Sequence, residues 1–145
     1  RRNKIMKVYL SQGNAADEAL VHFSNVSSFS RGVMDSEATQ IICDCFLSTF
    51  LRKDVASVLD IILKKMRANC ELTIIEPDFY LISKHIFHED VDIDVINDLV
   101  FSQGAMKSML SMNKIEKMIG SGFEISSKHF DEQSCRSILK IKRAK

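Results

Sequence analysis

The sequence predicts one α/β domain whose sheet is mainly parallel and ends in an antiparallel C-terminal hairpin. Short apolar strand patterns alternate with helical periodicity along the chain, and a polar four-residue turn joins the last two strand patterns. The 145 residues, 46% of them hydrophobic, can build one core but are too few for two. We therefore expect a single domain over 1–145. Residues 1–6 should form a disordered or added segment in front of it, because Met6 resembles a natural start.

The strand patterns of the first half are short and end at turn signals. Residues 7–11 run into a Gln-Gly-Asn turn, and 20–26 is a second strand candidate. The stretch 40–47 is apolar almost throughout, as in a strand that is covered on both faces. From Asp54 the apolar residues recur every three or four positions, which predicts an amphipathic helix that ends at Asn69. We expect this helix to cover the sheet with Val58, Leu59, Ile62 and Leu63.

The second half contains one more buried strand, three helical patterns and the hairpin. Residues 71–76 form a strand pattern that stops at Pro77, the only proline of the chain. The helical patterns cover 79–87, 92–101 and 113–119, and the hairpin strands cover 123–130 and 135–141. We expect the strands 7–11, 40–47 and 71–76 to lie side by side. The centre of the sheet should bury Ile41, Cys43, Leu72, Ile74 and Ile75.

Charge and cysteine usage exclude several classes of protein. Twenty basic residues stand against 19 acidic ones, which argues against the broad positive surface of a dedicated nucleic-acid binder. No apolar run reaches the roughly 18 residues of a membrane span, and we find no signal-peptide pattern. The cysteine spacing is not that of a disulfide framework. We therefore predict a cytoplasmic protein, bound to neither nucleic acid nor membrane, with reduced thiols at Cys43, Cys45, Cys70 and Cys135.

Three motifs follow one another in the second half of the chain. They are ELTIIEPDF at 71–79, INDLVFSQG at 96–104, and the helical IEKMI at 115–119 that precedes Gly122-Phe123. Their order and spacing resemble those of small class I S-adenosylmethionine-dependent methyltransferases, often linked to polysaccharide or cell-surface modification. The resemblance runs from about Lys7 to Lys142. It implies a Rossmann-like methyltransferase fold, here reduced in size, with S-adenosylmethionine as the cofactor if the protein is active and otherwise none.

The positions that contact the cofactor in this family depart from its pattern. The family's first loop, Leu-Gly-x-Gly, reads LSQGN at 10–14, so side chains stand where bare backbone should approach the cofactor. Ser27 stands where the resemblance implies an acid that binds the ribose hydroxyls. CFLST at 45–49 keeps only the leucine of His-x-Leu-Glu-His, and MRANC at 66–70 replaces a Leu-Lys-Pro-Gly-Gly turn. The helix that normally follows the first loop should be missing, because the segment before the second strand is short.

These departures leave competing functions. The first is a methyltransferase-fold protein that has lost catalysis and acts as a binding or structural module, with a protein partner or as a homo-oligomer. The alternative is an active S-adenosylmethionine-dependent methyltransferase on a sugar or other small acceptor. The resemblance then implies that Tyr9, Gly13 and Asp44 surround the cofactor and that Asp78, a weak catalytic candidate, faces the acceptor. A third option is a nucleic-acid-associated accessory protein that uses the basic termini.

Several polar groups have both a structural and a functional interpretation, and we favour the structural one. Cys43 and Cys45, two apart on a predicted strand, should be core thiols rather than metal ligands. His85 and His88 should be solvated residues at a helix end, and no metal site is predicted. The run DVDID at 90–94 should cap the next helix, because it lacks the glycine and glutamate of a calcium loop.

Two further sets of residues have a structural interpretation and, as the alternative, an interpretation as binding surfaces. The methionines near the end of the helical region should pack against the sheet, with a partner groove as the alternative. The basic residues at the C-terminus should form the solvated face of an edge strand, with a phosphate-rich partner as the weaker option. The two sets are Met106, Met109, Met112 and Met118, and Lys140, Lys142, Arg143 and Lys145.

Overall fold

A six-stranded sheet organises the computed structural model, which describes residues 4–14, 17–101 and 106–144. The strands are β1 (Lys7–Leu10), β2 (Val21–Phe23), β3 (Ala38–Asp44), β4 (Met66–Pro77), β5 (Phe123–Asp131) and β6 (Arg136–Arg143). In the order β2-β1-β3-β4-β6-β5, the first four strands are parallel, and β6 runs antiparallel to both β4 and β5. The predicted α/β class, with a mainly parallel sheet and an antiparallel C-terminal hairpin, is confirmed.

Five helices and one short 3₁₀ turn connect the strands. The helices are α1 (Val26–Gly32), α2 (Arg52–Lys65), α3 (Phe79–His88), α4 (Ile93–Phe101) and α5 (Met112–Met118), and the 3₁₀ turn is Leu47–Thr49. In the described part of the chain, no helix is long and apolar enough to cross a membrane. Between β1 and β2, residues 11–14 and 17–20 contain no helix, as the short spacing predicted.

One face of the sheet builds the main core. Across the strands, Val8, Ile41, Leu72 and Ile141 lie in register, and Leu10, Cys43, Ile74 and Leu139 form the next row. All eight side chains are buried in one cluster. The predicted α2 residues cover them, since Val58, Leu59, Ile62 and Leu63 recur at helical spacing and are buried in the same cluster. The burial of this apolar surface is the main stabilising contribution to the fold.

The opposite face of the sheet contributes no side chain to either hydrophobic cluster of the described residues. Successive strand residues point to opposite faces, so Ile42, Thr73, Ile75 and Ile138 lie on this second face, called the uncovered face below. They are half-buried rather than buried. The prediction that Ile75 is buried at the sheet centre was therefore too strong, because Ile75 points away from the face that α2 covers.

The start of the first helix differs from the sequence prediction. The second strand was expected over 20–26, but β2 ends at Phe23 and Asn25 caps α1. The Asn25 side chain accepts a hydrogen bond from the Ser28 backbone at 2.8 Å, which satisfies a free N–H of the first turn. Ser27 therefore lies in a helix and not at the end of the second strand, so the predicted strand-end position of Ser27 was wrong.

The region between α2 and β4 also differs. The helix ends at Lys65 rather than at Asn69, and β4 starts directly at Met66. Asn69 has a positive φ of 66°, and the pairing register of β3 with β4 shifts in this region. A residue in the left-handed conformation interrupts a ladder, so Asn69 marks an irregularity inside a strand.

The basic C-terminal strand is not an edge strand. β6 lies between β4 and β5, so the predicted edge is formed by β5 instead. Lys140 and Lys142 point to the uncovered face of the sheet, because they pair with Thr73 and Glu71 of β4. Lys145 lies outside the described residues.

Candidate functional site

A cleft of about 220 Å³ lies at the carboxyl ends of β1, β3 and β4. Three of the four predicted site residues, Tyr9, Gly13 and Asp44, line it. Parallel strands bring their carboxyl ends to one edge of a sheet, where open α/β folds bind ligands. The other lining residues are Ser11, Gln12, Asn14, Cys45, Ser48, Thr49, Pro77, Leu99, Val100, Met106 and Arg136.

Tyr9 and Asp44 form a hydrogen-bonded pair in the wall of the cleft. β1 and β3 are neighbours, and the Tyr9 hydroxyl donates to Asp44 Oδ2 at 2.5 Å. Burial, with the nearby Asp44 carboxylate, raises the pKa of the Tyr9 hydroxyl to about 12. Tyr9 is therefore protonated at neutral pH and can only donate to Asp44, which fixes the carboxylate at the mouth of β3.

The first loop, residues 11–14, is hydrogen-bonded to β2 and to the residue that follows it. His22 Nε2 on β2 lies 3.1 Å from the Ser11 carbonyl oxygen and 3.3 Å from Ser11 Oγ. Gln12 Nε2 donates to the Ser24 carbonyl at 3.1 Å, so it links the loop after β1 to the end of β2. No atom lies within 4 Å of a Cβ built at Gly13, so packing does not require glycine there. These contacts tie the loop after β1 to β2 and to Ser24.

The residues that follow β2 are Ser24 and Asn25, and neither is an acid. The resemblance implies a carboxylate at the end of this strand for the ribose hydroxyls. Asn25 already caps α1, and the Ser24 carbonyl accepts from Gln12. At this end of the cleft, the residues present therefore do not fit S-adenosylmethionine in the manner of the family.

A buried glutamate, not identified from the sequence, supports the floor of the cleft. Glu76 is 1% exposed at the end of β4, and its Oε2 accepts from the Leu47 backbone at 2.8 Å. Its Oε1 has no partner among the described residues. Burial raises the pKa of Glu76 to about 7, although hydrogen bonds from Ser48 and Leu47 oppose the shift. The signal that could have identified Glu76 from the sequence is its position as an acid at the end of the apolar strand pattern 72–75.

Glu76 also connects the cleft to the segment that follows α4. It holds the 3₁₀ turn, whose Ser48 carbonyl accepts from the Lys107 backbone at 2.7 Å and from Ser108 at 3.2 Å. Ser48 and Met106 both line the cleft. The carboxyl group therefore positions two walls of the cleft through backbone hydrogen bonds.

Cys45 does not lie in the core with Cys43, contrary to the prediction that both are core thiols. β3 ends at Asp44, and Cys45 has a positive φ of 51°, which turns the chain out of the strand. Cys43 lies in the core, whereas Cys45 lines the cleft. Burial raises the pKa of the Cys45 thiol to about 12, so the group is an unreactive thiol at neutral pH. All four cysteines are free, as predicted.

Arg136 is the one cationic side chain among the described residues that line the cleft. It sits opposite Pro77 in the pairing of β4 with β6, which brings the C-terminal strand to the site. Its Nε is buried and has no hydrogen-bond partner in the described part of the chain. Arg136 was not predicted as a site residue, because the hairpin sequence does not show which strand β6 pairs with.

Asp78 lies outside the cleft. Its Oδ1 accepts from the backbone of Tyr80 at 3.0 Å and of Leu81 at 3.1 Å, which caps α3. Its Oδ2 accepts from the Met112 backbone at 2.9 Å, which ties α5 to the end of β4. The carboxylate is buried, and these backbone donors occupy both of its oxygens. This geometry fits a structural acid that joins two helices.

His85 is buried between two carboxylates, so the prediction of a solvated helix-end residue was wrong for it. Its Nδ1 lies 2.5 Å from Asp90, and its Nε2 lies 2.5 Å from Glu132 in the hairpin turn. These hydrogen bonds raise the pKa of His85 and lower the pKa of both acids. His88 is exposed. The described residues contain no cluster of three or more groups that could hold a metal.

The acidic run before α4 caps that helix, as predicted. The Asp92 side chain accepts from the Asp94 backbone at 2.8 Å, at the first turn of α4. The four methionines do not form one surface: Met112 is buried, Met118 half-buried and Met109 exposed, and Met106 lines the cleft.

No family model and no curated protein matches the sequence. Solved structures do match the fold. Magnesium protoporphyrin IX methyltransferase from Synechocystis, with SAH bound, is 13% identical with a TM-score of 0.54, over 86% of this chain and 51% of that one. A SAM-dependent methyltransferase from Archaeoglobus fulgidus is 9% identical with a TM-score of 0.54, over 88% and 70%. One from Methanosarcina mazei is 13% identical with a TM-score of 0.52, over 86% and 66%.

The chain has the Rossmann-like fold of SAM-dependent methyltransferases. The predicted Rossmann-like fold is thereby confirmed. At these identities the likeness establishes the fold and leaves substrate and activity open.

Proposed function

We propose that this chain is a methyltransferase-fold protein that does not catalyse methyl transfer and acts as a binding or structural module in a protein assembly. The observation that carries the proposal is the hydrogen-bonded first loop, which lines the cleft. His22 and Gln12 are hydrogen-bonded to Ser11 and Ser24, where the resemblance implies open backbone and a ribose-binding acid. A cofactor entering in the family's manner would have to break these contacts.

The missing helix between β1 and β2 supports the same proposal. In Rossmann-like folds the first strand leads into a helix whose N-terminal N–H groups bind the ligand. Here the described part of the connection forms turns only. Without these donors, and without a charge-assisted bond from an acid that would contribute roughly 1.5–3 kcal/mol, cofactor affinity should fall by several factors of ten.

A second function is favoured by one observation. Tyr9, Gly13 and Asp44 line a single cleft at the edge of the sheet where this fold class binds ligands. Two of the three are fixed by a hydrogen bond, so the wall is ordered for binding. An active S-adenosylmethionine-dependent methyltransferase on a small acceptor is therefore the alternative.

Isothermal titration calorimetry with S-adenosylmethionine and with S-adenosylhomocysteine separates the two functions. The proposal expects no saturable binding of either compound, or a dissociation constant above about 1 mM. The double variant Gln12→Gly with His22→Ala removes the hydrogen bonds that hold the first loop. Tyr80→Phe, on the exposed side of α3, controls for the effect of a substitution outside the cleft. Micromolar binding by the wild type that Asp44→Asn abolishes would overturn the proposal, and a methyl-transfer assay would then test the alternative.

A further inference from the structure

An apolar groove of about 410 Å³ opens on the helix layer and shares no lining residue with the cleft. Val55 of α2, Phe79 of α3 and Met118 of α5 form its walls together with Leu110. Tyr80 and Met109 stand at its edge and are 78% and 69% exposed. An exposed aromatic and a flexible methionine around an apolar floor are features of grooves that accept a helix.

The charged residues that line this groove are basic. Arg52 and Lys114 line it, and no acidic residue does. Among the described residues, neither cation takes part in an ion pair. The one acid of α5, Glu116, is paired with Lys128 of the hairpin at 2.8 Å. The groove therefore fits an apolar segment that carries negative charge.

The helix α4 of the same chain has these properties. The stretch 89–101 contains five acidic residues and no lysine or arginine. Ile96 packs inward against Ile82 and Cys135. Ile93 and Phe101 are 57% and 73% exposed. At 3.6 residues per turn, Phe101 and Asp94 lie on the half of the helix opposite Ile96, whereas Ile93 lies on the flank, about 60° from Ile96.

We propose that the groove binds α4 of a second copy of this chain. Phe101 occupies the apolar floor, and the carboxylate of Asp94 lies against Arg52 and Lys114. Ile96 holds α4 in its own molecule, and Asp94 and Phe101 face away from that contact. The inference names the partner in the assembly role proposed above and rests on that proposal.

The contact is head-to-tail, since groove and helix are different surfaces of each copy. Such contacts produce chains or closed rings rather than only symmetric dimers. A short helix in a groove makes a small interface, which belongs to the weak range of protein–protein contacts. Association should therefore be visible at high protein concentration and should weaken as salt screens the charges.

Sedimentation equilibrium tests the contact on the purified chain, from about 10 µM to about 500 µM, the range expected for a small interface. The wild-type mass should rise with concentration, to species larger than a dimer. The groove variant Arg52→Glu/Lys114→Glu and the helix variant Asp94→Lys should each raise the dissociation constant about tenfold. Phe101→Ser should do the same without a change of charge.

Mixing the two charge variants gives the sharpest result. The helix variant keeps an intact groove and the groove variant keeps an intact α4, and the reversed charges of the two variants also complement each other. An equimolar mixture should therefore recover the association that each variant has lost alone. Lys64→Glu and Asp60→Lys, exposed on α2 away from the groove, are the matched controls and should associate like the wild type. Thermal melts establish that each variant is folded.

Three outcomes would overturn the inference: a wild type that stays monomeric over the whole range, association that the variants do not weaken, or a mixture that fails to pair. An acidic partner of another sequence would appear as the first of these. Cofactor titration is a separate measurement, so tight S-adenosylmethionine binding would remove the noncatalytic function while leaving a confirmed self-association in place.

Discussion

Ile74 and Glu76 lie two residues apart on β4 and point to the same face of the sheet, yet different interactions hold them. Ile74 is surrounded by apolar side chains of the main cluster. Glu76 is equally buried, but its carboxyl group depends on backbone donors of the 3₁₀ turn and leaves one oxygen unpaired. The centre of the sheet is stabilised by apolar burial, whereas its carboxyl edge is built from polar contacts that keep a cleft open.

The largest expected effect tests the centre of the sheet. Ile74→Ala should reduce the free energy of unfolding by roughly 2–5 kcal/mol, because it leaves a cavity under α2. Ile75→Ala is the matched control, since the same side chain one residue later is half-buried on the uncovered face. It should cost about 1 kcal/mol. Urea denaturation measures both, and equal losses would mean that both faces of β4 are packed alike.

The second prediction tests the edge through its pH dependence. The pKa of Glu76 is raised to about 7 from an ordinary value of 4.5, so the folded state favours the protonated acid. Ionisation of Glu76 therefore opposes folding: its contribution to stability is highest below about pH 4.5 and decreases as the pH rises to about 7, by roughly 3 kcal/mol in total. Glu76→Gln should remove this decrease and should be at least as stable as the wild type at about pH 8.

Urea titrations across this pH range check the effect of Glu76. Glu71→Gln, on the same strand but on the uncovered face, is the control and should leave the wild-type profile in place. If Glu76→Gln were instead less stable than the wild type at high pH, the ionised carboxylate would be stabilising the turn. The edge would then be held by a charge rather than by a buried acid.

This contrast also explains which parts of the structure the sequence could predict. The strands of the sheet centre and α2 follow from local periodicity, and eight of the nine side chains predicted to be buried there are buried. Two errors lie at element boundaries, where a single residue decides. Asn25 caps a helix where a strand was expected, and Asn69 interrupts a strand where a helix end was expected.

The site was predictable only in part, for a related reason. Tyr9, Gly13 and Asp44 lie at the ends of predicted strands, and topology alone brings strand ends together. Glu76 and Arg136 were missed because their partners are distant in the sequence: the first meets the 3₁₀ turn, and the second depends on the pairing of β6 with β4. Asp78 showed a motif resemblance, but the residues that use its carboxylate include Met112, far along the chain.

The smallest expected effect tests the wall of the cleft. Tyr9→Phe removes the hydroxyl that donates to Asp44 at 2.5 Å and leaves the ring in place. One hydrogen bond contributes about 1 kcal/mol net, and water from the cleft can replace part of it. Tyr80→Phe, whose hydroxyl belongs to an exposed side chain, should change the free energy of unfolding by less than about 0.5 kcal/mol. A loss of unfolding free energy near 3 kcal/mol for Tyr9→Phe would show that the Tyr9–Asp44 pair stabilises the edge as strongly as apolar burial stabilises the centre. If Tyr9→Phe caused no loss, the pair would serve ligand binding rather than the stability of the fold.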